Sequence, residues 1–366
     1  MSTPRSETRS GYLPTLDGWR AVAIAGVLIA HSGVEFGPRW MWGWNAALGS
    51  FGVFLFFGIS GILICSRLLE EESRTGSLHL KGFYVRRLFR IQPAAWLLLG
   101  TLAVLRWTHV VRVPWNTWFA ALLMVRNYLP VHPDLAAGWV TGHFWSLAVE
   151  EHFYLLLPVF LFFVKRRRAR MLAGVFVVMY LWSFVAGRHF WFGPDSYHQT
   201  DMCIDWLVLP ALAAVLLRRR RWEDLFTRLL PPWLTVLFSL AILVPIWFSL
   251  PHSIKSLEML VPTALVLSTL THPRSWLGRW LELAPLRWIG RLSYSMYLWQ
   301  ELFLQNLYDP ARATLGVWNK APWNLVWIFA IAAASYYLVE RPCMRMGHRL
   351  ARPAVEGRPE LASAVS

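Results

Sequence analysis

The chain has 366 residues, of which 56% are hydrophobic and 16% are charged, and it contains 23 tryptophans. This composition excludes an ordinary soluble globular protein and predicts an all-α, polytopic membrane helical bundle. The net charge of +15 would also fit a nucleic-acid-binding protein, but the basic residues form short clusters between apolar segments. Such clusters encode membrane topology, so nucleic acid is not expected as a partner.

The cysteines and the N-terminus give no sign of a disulfide framework, a metal site or a cleaved leader. Cys65, Cys203 and Cys343 are an odd number, with no CxxC pair and no histidine at ligand-like spacing. The polar N-terminal segment has no signal-peptide core, so we expect the first apolar segment to remain as a membrane anchor.

Ten apolar windows are long enough to predict ten membrane-spanning helices with both termini in the cytoplasm. The windows are 19–36, 47–66, 93–111, 145–164, 171–190, 203–217, 233–250, 258–272, 290–308 and 322–339. This topology places most of the 36 lysines and arginines on the cytoplasmic side. Residues 1–345 are expected to form one membrane domain, and residues 346–366 a disordered cytoplasmic tail.

A weaker apolar stretch at 115–128 is short and has aromatic residues at its edges. These properties favour an interfacial or re-entrant helix over an eleventh span.

The first apolar segment, LDGWRAVAIAGVLIAH, begins and ends near two polar residues that a bilayer core tolerates poorly. Arg20 and His31 lie eleven positions apart, so on a helix both side chains project from one face, separated by about 16 Å along the axis. A structural histidine would serve as a hydrogen-bonding group between helices. The arginine on the same face favours a catalytic pair instead.

A basic cluster, RRLFRIQP, precedes the third apolar window and is expected to end a cytoplasmic loop, with Pro93 in the first turn of the next span. Arg87 and Arg90 are spaced i, i+3, so one helical turn would present two guanidinium groups together. The cluster is either a topology signal or a site that binds phosphate groups.

The segment HFWSLAVEEHFYLLLP places Glu150 and Glu151 at the start of a span. Adjacent positions on a helix point about 100° apart, so at most one carboxylate can face a given partner. Both are solvated interfacial acids, or one orients an imidazole such as His31 for general base catalysis. Trp145 and Tyr154 flank the pair as candidate substrate-binding residues.

Two further polar segments occur near the C-terminus. GRLSYSMYLWQ places Ser293, Tyr294 and Tyr297 at the entry of the ninth span, where the hydroxyls either bond between helices or bind substrate. YYLVERP closes the last span; we expect a boundary ion pair between Glu340 and Arg341, and a helix end at Pro342.

Six motifs, taken in order, resemble those of the acyltransferase-3 family of integral membrane acyltransferases. They are LDGWRAVAIAGVLIAH, FGVFLFFGISGILI, RRLFRIQP, HFWSLAVEEHFYLLLP, GRLSYSMYLWQ and YYLVERP, from residue 16 to about residue 342.

The resemblance implies a ten-helix enzyme in a bacterial plasma membrane. Such an enzyme moves an acyl group, often acetyl, from cytosolic acyl-CoA to a hydroxyl group. The acceptor would be a cell-envelope glycan or glycolipid or, in some members, a secondary metabolite such as a macrolide. Acyl-CoA would be a substrate, with no tightly bound cofactor, and membrane lipids would surround the protein.

The resemblance also implies roles for individual residues. In the family, the arginine and histidine of the first helix are essential, and the RxxR motif is associated with the phosphates of CoA; here these are Arg20, His31, Arg87 and Arg90. Two departures stand out. Gln300 occupies a position where many members have histidine, so no proton-relay role is transferred to it, and Pro210 interrupts a span beside Asp205.

The resulting hypothesis makes His31 the general base for the acceptor hydroxyl or, as an alternative, the residue that accepts the acyl group. Arg20 would hold the thioester or a phosphate. A transporter or flippase is the rival function, because buried arginine, histidine and glutamate also mark transport pathways. The sequence shows no duplicated halves or matching broken helices of the kind found in transporters.

Overall fold

The computed structural model describes residues 13–32, 44–129, 138–189, 198–246, 258–304 and 316–351. Most of these residues are helical, and no β-strand occurs among them. The helices are α1 (Pro14–His31), α2 (Trp44–Thr75), α3 (Leu80–Trp107), α4 (Trp115–Leu122), α5 (Phe144–Phe163), α6 (Arg168–His189), α7 (Thr200–Cys203), α8 (Asp205–Leu217), α9 (Arg220–Leu229), α10 (Pro232–Ile246), α11 (Leu260–Thr271), α12 (Trp276–Leu281), α13 (Ala284–Phe303), α14 (Trp323–Ser335) and α15 (Arg341–Leu350).

Within the described part of the chain, five helical segments are long and apolar enough to cross a membrane. They are Ala47–Thr75, Leu80–Trp107, Trp139–Phe163, Arg168–Val185 and Trp323–Leu350. Each of the ten predicted windows overlaps a helix, and the ends of four windows, at 33–36, 190, 247–250 and 305–308, lie outside the described residues. Several of the helices are short, among them Asp205–Leu217 and Leu260–Thr271. The all-helical membrane architecture is confirmed, while the number of spans and the side of the termini stay predictions.

The weak stretch at 115–128 forms two short pieces. Trp115–Leu122 is an α-helix of eight residues and Arg126–Tyr128 a single 3₁₀ turn. At 1.5 Å per residue, a helix of this length reaches about 12 Å, well short of a bilayer core of about 30 Å.

Two prolines occupy helix positions that differ from those that the sequence predicts. The helix α3 is continuous from Leu80 to Trp107 with Pro93 inside it, so RRLFR lies on the helix itself and not at the end of a loop. Proline costs one backbone hydrogen bond there, and neighbouring helices make such a position tolerable in membrane proteins.

At the C-terminal end, the π-helical turn Tyr336–Glu340 joins α14 to α15, and Pro342 lies in the first turn of α15. Proline needs no backbone partner at that position, so the helix continues instead of ending.

Two further expectations for the C-terminal segment differ from the structure. Glu340 accepts hydrogen bonds from Ser295 and Ser335 and is 3% exposed, so it does not form the expected boundary ion pair with Arg341. Residues 346–350, which were assigned to the tail, are helical. Residues 352–366, the rest of that tail, lie outside the described residues.

The helix α1 packs most extensively against α2 and α13 and lies between them. Small residues permit this close packing. A Cβ atom on Gly290 of α13 would lie 1.8 Å from the carbonyl oxygen of Asp17, and one on Gly52 of α2 would lie 2.5 Å from that of Ala23. Because α1 is held from both sides, its polar face is directed into the interior of the bundle.

Glycine spacing in α2 predicts a second close contact, which the structure contains. A Cβ atom on Gly61 would lie 2.6 Å from Cγ of Pro210 in α8. Ser60, beside it, turns toward the interior and donates a hydrogen bond to Glu150. The α2–α8 contact therefore holds in place α2, whose residues form part of the walls of the two cavities described below.

Candidate functional site

Arg20 and His31 project from α1 into two neighbouring cavities in the bundle. Their side chains are 18% and 26% exposed. The histidine cavity has a volume of about 370 Å³, and its wall includes His31, Trp139, His143, Trp145, Tyr297 and Glu301. The arginine cavity is smaller, about 80 Å³, and its wall includes Arg20, Arg87, Arg90, Glu150, Glu151 and Tyr154.

His31 lies against a carboxylate on α13. Its Nδ1 atom is 3.6 Å from Oε1 of Glu301, whose side chain is only 3% exposed. The indole of Trp139 meets the imidazole edge-on, with 5.4 Å between ring centroids. Gln300, which is fully buried, is a further polar neighbour of the imidazole. Glu301, the residue that follows the motif GRLSYSMYLWQ, therefore forms an acid–imidazole pair with His31.

A second histidine belongs to the same cavity. His143 immediately precedes α5, is 3% exposed, and its ring packs edge-on against Tyr297 at 5.5 Å between centroids. The Tyr297 hydroxyl lies 2.6 Å from the Ser146 hydroxyl and donates to the backbone oxygen of His143 at 3.2 Å. Tyr297 is thus held in place by α5, with its ring in the cavity wall.

The arginine cavity contains cations with few anionic partners. The Arg87 guanidinium lies over the ring of Tyr154, 4.6 Å from its centroid. Neither Arg87 nor Arg90 has a carboxylate within ion-pair distance among the described residues, whereas Arg20 pairs with Asp17 at 3.3 Å. Guanidinium groups that lie on an aromatic face keep their N–H edges available for an anion.

The two adjacent glutamates of α5 belong to the arginine cavity. Glu150 accepts hydrogen bonds from the hydroxyls of Ser60 and Tyr154. The hydroxyl oxygens of Ser60 and Tyr154 are themselves 3.0 Å apart. Glu151 is half-buried, and its buried Oε1 atom has no hydrogen-bond partner among the described residues. The described contacts of Glu150 are therefore with this hydroxyl pair, and the carboxylate that adjoins His31 is Glu301.

A third cavity connects this region to a basic surface. This outer basic cavity has a volume of about 650 Å³, and its wall includes Arg67, Arg74, Arg86, Arg87, Arg90 and His348. Arg86 there pairs with Glu71 at 3.3 Å. Arg87 and Arg90 also line the arginine cavity, and Val53 and Tyr297 line both the arginine and histidine cavities. The three cavities thus follow one another from the basic surface to His31.

The remaining candidates from the sequence, Ser293, Tyr294 and Trp145, line the cavities, and Tyr294 also bonds between helices. Ser293 and Tyr294 line the arginine cavity, but the Tyr294 hydroxyl donates to the backbone oxygen of Ile91 at 2.7 Å, a bond between helices. Trp145 lines the histidine cavity and packs against His198, with 4.1 Å between ring centroids.

Sequence reasoning did not single out Glu301, His143 or Trp139 as members of one site. Tyr297 and Glu301 are spaced i, i+4 on α13, so helical periodicity could have placed Glu301 on the face of the predicted tyrosine. No local pattern could have shown that this face meets His31, because that depends on how α1 packs against α13.

A family model described as an acyltransferase domain matches residues 13–340. The protein named "Putative peptidoglycan O-acetyltransferase YrhL" of Bacillus subtilis (strain 168) is 30% identical over 92% of this chain and 56% of its own length. The O-acetyltransferase OatA of Staphylococcus aureus (strain NCTC 8325 / PS 47) is 28% identical over 92% of this chain and 58% of its own length.

The chain spans a little over half the length of these curated relatives. No solved structure matches it. The match to the family model covers the helices that form the histidine and arginine cavities. The chain therefore belongs to the acyltransferase-3 family of membrane acyltransferases.

Proposed function

We propose that this protein transfers an acetyl group from acetyl-CoA to a hydroxyl of a cell-wall carbohydrate. The observation that supports this most directly is the series of adjoining cavities between a cationic entrance and a half-buried imidazole beside a carboxyl group. The names of the relatives, one of them a peptidoglycan O-acetyltransferase, point to acetyl as the acyl group and to glycan as the acceptor.

The donor would enter through the outer basic cavity. Arg87 and Arg90 line it, have no ion pair with a described carboxylate, and match the oxygens of phosphate groups. The helical rise from Arg20 to His31 is about 16 Å, a distance that the extended pantetheine arm of CoA can bridge. The thioester would then lie near Tyr297, where the arginine and histidine cavities adjoin.

His31 would act as the general base. The acceptor hydroxyl loses its proton to the imidazole as its oxygen attacks the thioester carbonyl carbon. A C–O bond forms, the C–S bond breaks, and the proton passes from the imidazolium to the departing CoA thiolate. The products are the O-acetyl ester and free CoA, and general base assistance of this kind typically contributes about 10²–10⁴-fold to the rate.

Glu301 would position the imidazole for this step. A carboxylate beside Nδ1 favours the tautomer that has its proton there, which leaves Nε2 to accept the hydroxyl proton. The separation of 3.6 Å is longer than a hydrogen bond, and catalytic hydrogen bonds are often long until substrate is bound.

We propose that the protein lies in a bacterial plasma membrane and that the acceptor reaches the site from the side opposite the donor. A secondary metabolite with a free hydroxyl is the alternative acceptor. Both acceptors need the same imidazole and the same donor route. They differ in which product acquires an acetyl mass.

The first experiment uses the full chain reconstituted in lipid nanodiscs, with acetyl-CoA and a soluble peptidoglycan oligosaccharide. We expect equal amounts of free CoA thiol and acetylated oligosaccharide, and the variant His31→Ala to lower this rate by about 10²–10⁴-fold. His109→Ala is the matched control, because His109 is exposed and lies outside the three cavities.

Near-normal transfer by a correctly folded His31→Ala protein would eliminate the proposed mechanism. Uptake of oligosaccharide or acetyl-CoA without thiol release would favour a transporter instead.

A further inference from the structure

His143 is a buried histidine that the proposed reaction does not use. Its side chain is 3% exposed, and neither ring nitrogen has a hydrogen-bond partner among the described residues. Its ring contacts are with Phe144 and Tyr297, both through ring faces or edges. Buried polar groups in folded proteins are almost always hydrogen-bonded, so an imidazole with two unmet nitrogens indicates a missing polar partner.

The position of His143 identifies where that partner would be. His143 and His31 line the same cavity of about 370 Å³. Glu301 also lines it, and its Oε2 atom likewise has no hydrogen-bond partner among the described residues. Polar atoms without a described hydrogen-bond partner thus lie on two parts of the cavity wall, at His143 just before α5 and at Glu301 on α13.

The rest of the wall is aromatic. Trp139, Trp145, Trp206 and Tyr297 contribute ring surface to the cavity. Aromatic walls combined with a few polar groups are typical of small-ligand pockets, and the volume lies at the lower end of the range for such pockets, about 300–1,000 Å³. A sugar ring, with hydroxyls at its rim and C–H groups on its faces, fits this combination.

We propose that the histidine cavity is the acceptor subsite, and that His143 hydrogen-bonds a hydroxyl next to the one that His31 deprotonates. This inference rests on the proposed function and adds to it a location and a binding residue for the acceptor. The donor thioester then reaches the reaction from the arginine cavity, so each substrate has its own compartment. A bound sugar ring would give the imidazole the hydrogen-bond partner that the described residues do not supply.

The test compares His143→Leu and His143→Gln with the unmodified chain in nanodiscs. The substrates are acetyl-CoA and a soluble peptidoglycan oligosaccharide. We expect His143→Leu to raise the KM for the oligosaccharide about tenfold or more while the KM for acetyl-CoA stays within about twofold. His143→Gln retains a donor and an acceptor, so it should recover part of the loss.

The melting temperature without substrate gives a readout that a structural histidine would change differently. Since no described group bonds the His143 ring, leucine should leave the melting temperature unchanged or raise it. The control is His152→Leu on the same helix, because His152 lies 2.6 Å from the Thr200 hydroxyl and outside the histidine cavity. That substitution should lower the melting temperature and leave the oligosaccharide KM unchanged.

Calorimetric titration with the oligosaccharide alone separates this inference from the proposed function. Binding by the unmodified chain that His143→Leu weakens, with no acetyl transfer, would retain the subsite and overturn the proposed reaction. Transfer with an unchanged oligosaccharide KM in His143→Leu would overturn the subsite alone. A raised KM for acetyl-CoA only, or a lowered melting temperature in His143→Leu, would also overturn it, and neither binding nor transfer would overturn both.

Discussion

Arg87 and Arg90 differ from the basic residues around them in their partners. Arg86 pairs with Glu71 and Arg168 with Glu72, whereas Arg87 and Arg90 lie in cavity walls without an ion pair among the described residues. A topology signal requires only positive charge near the membrane surface. A topology signal does not require that the cations line an internal cavity. The position of Arg87 and Arg90 in cavity walls therefore supports the binding of an anion.

We therefore predict that Arg87→Gln and Arg90→Gln each raise the KM for acetyl-CoA about tenfold or more. A charge-assisted hydrogen bond contributes about 1.5–3 kcal/mol, and 1.4 kcal/mol is tenfold in affinity. Acetyl-pantetheine, which lacks the nucleotide phosphates, should be a poor donor whose KM is insensitive to either variant. Arg170→Gln, an exposed arginine of a neighbouring basic cluster, should change neither KM.

Equal losses with acetyl-CoA and acetyl-pantetheine would show that the arginines act on something other than phosphate. If the variants changed the membrane orientation of the protein and left the KM for acetyl-CoA unchanged, the basic cluster would be a topology signal only.

The packing of helices determines where the imidazole of His31 lies. The helix α1 fits between α2 and α13 because Gly52 and Gly290 allow the backbones to approach. The same contacts bring His31 to Glu301, while Tyr297 of α13 and His143, the residue before α5, complete the wall of the histidine cavity. The site is therefore a product of helix packing, since each helix contributes one or two polar residues.

At this scale we predict that Gly290→Ala destabilises the protein. Its Cβ atom would lie 1.8 Å from the carbonyl oxygen of Asp17, so α1 and α13 would have to separate, at a typical cost of about 1–3 kcal/mol for overpacking. Thermal unfolding in detergent should show a lower melting temperature. Gly100→Ala is the control, because nothing lies within 4 Å of a Cβ atom there.

An unchanged melting temperature for Gly290→Ala would show that the two helices are more loosely packed than described. A decrease of the same size for Gly100→Ala would attribute the effect to glycine replacement in general.

For the whole molecule, the series of cavities has a direction, from a basic surface inward to His31. The excess of positive charge predicts that this surface faces the cytoplasm. A donor from the cytosol and an acceptor from outside would then meet within the bundle, and the protein would move an acetyl group across part of the membrane without moving either substrate through it.

Thiol labelling in intact cells tests this orientation. In a Cys343→Ser background, we expect Thr108→Cys, after α3, to react with a membrane-impermeant maleimide. Ser77→Cys, before α3, should react only after the cells are permeabilised. Both positions are exposed in the structure. The reverse pattern would place the basic surface outside the cell and remove the cytosolic donor route.

The sequence by itself determined much about this protein. Runs of apolar residues show where helices form, because burying backbone groups in lipid requires them to bond within a segment. Arg20, His31, Arg87 and Arg90 stand out as polar residues in apolar surroundings, and the ordered motifs indicate the family. Local rules were wrong at Pro93, which lies inside α3 and not in the first turn of a helix, and at Pro342, which lies in the first turn of α15 and does not end a helix.

Only the tertiary structure decided which side chains meet. The carboxylate beside His31 is Glu301 on α13, while Glu150 bonds to Ser60 and Tyr154. Helical periodicity states which face of a helix a residue occupies, but not which other helix that face contacts. Residues far apart in the chain become neighbours through the packing of helices. The glycines that allow this packing contact helices from other parts of the chain, so no single segment of sequence shows which helices they bring together.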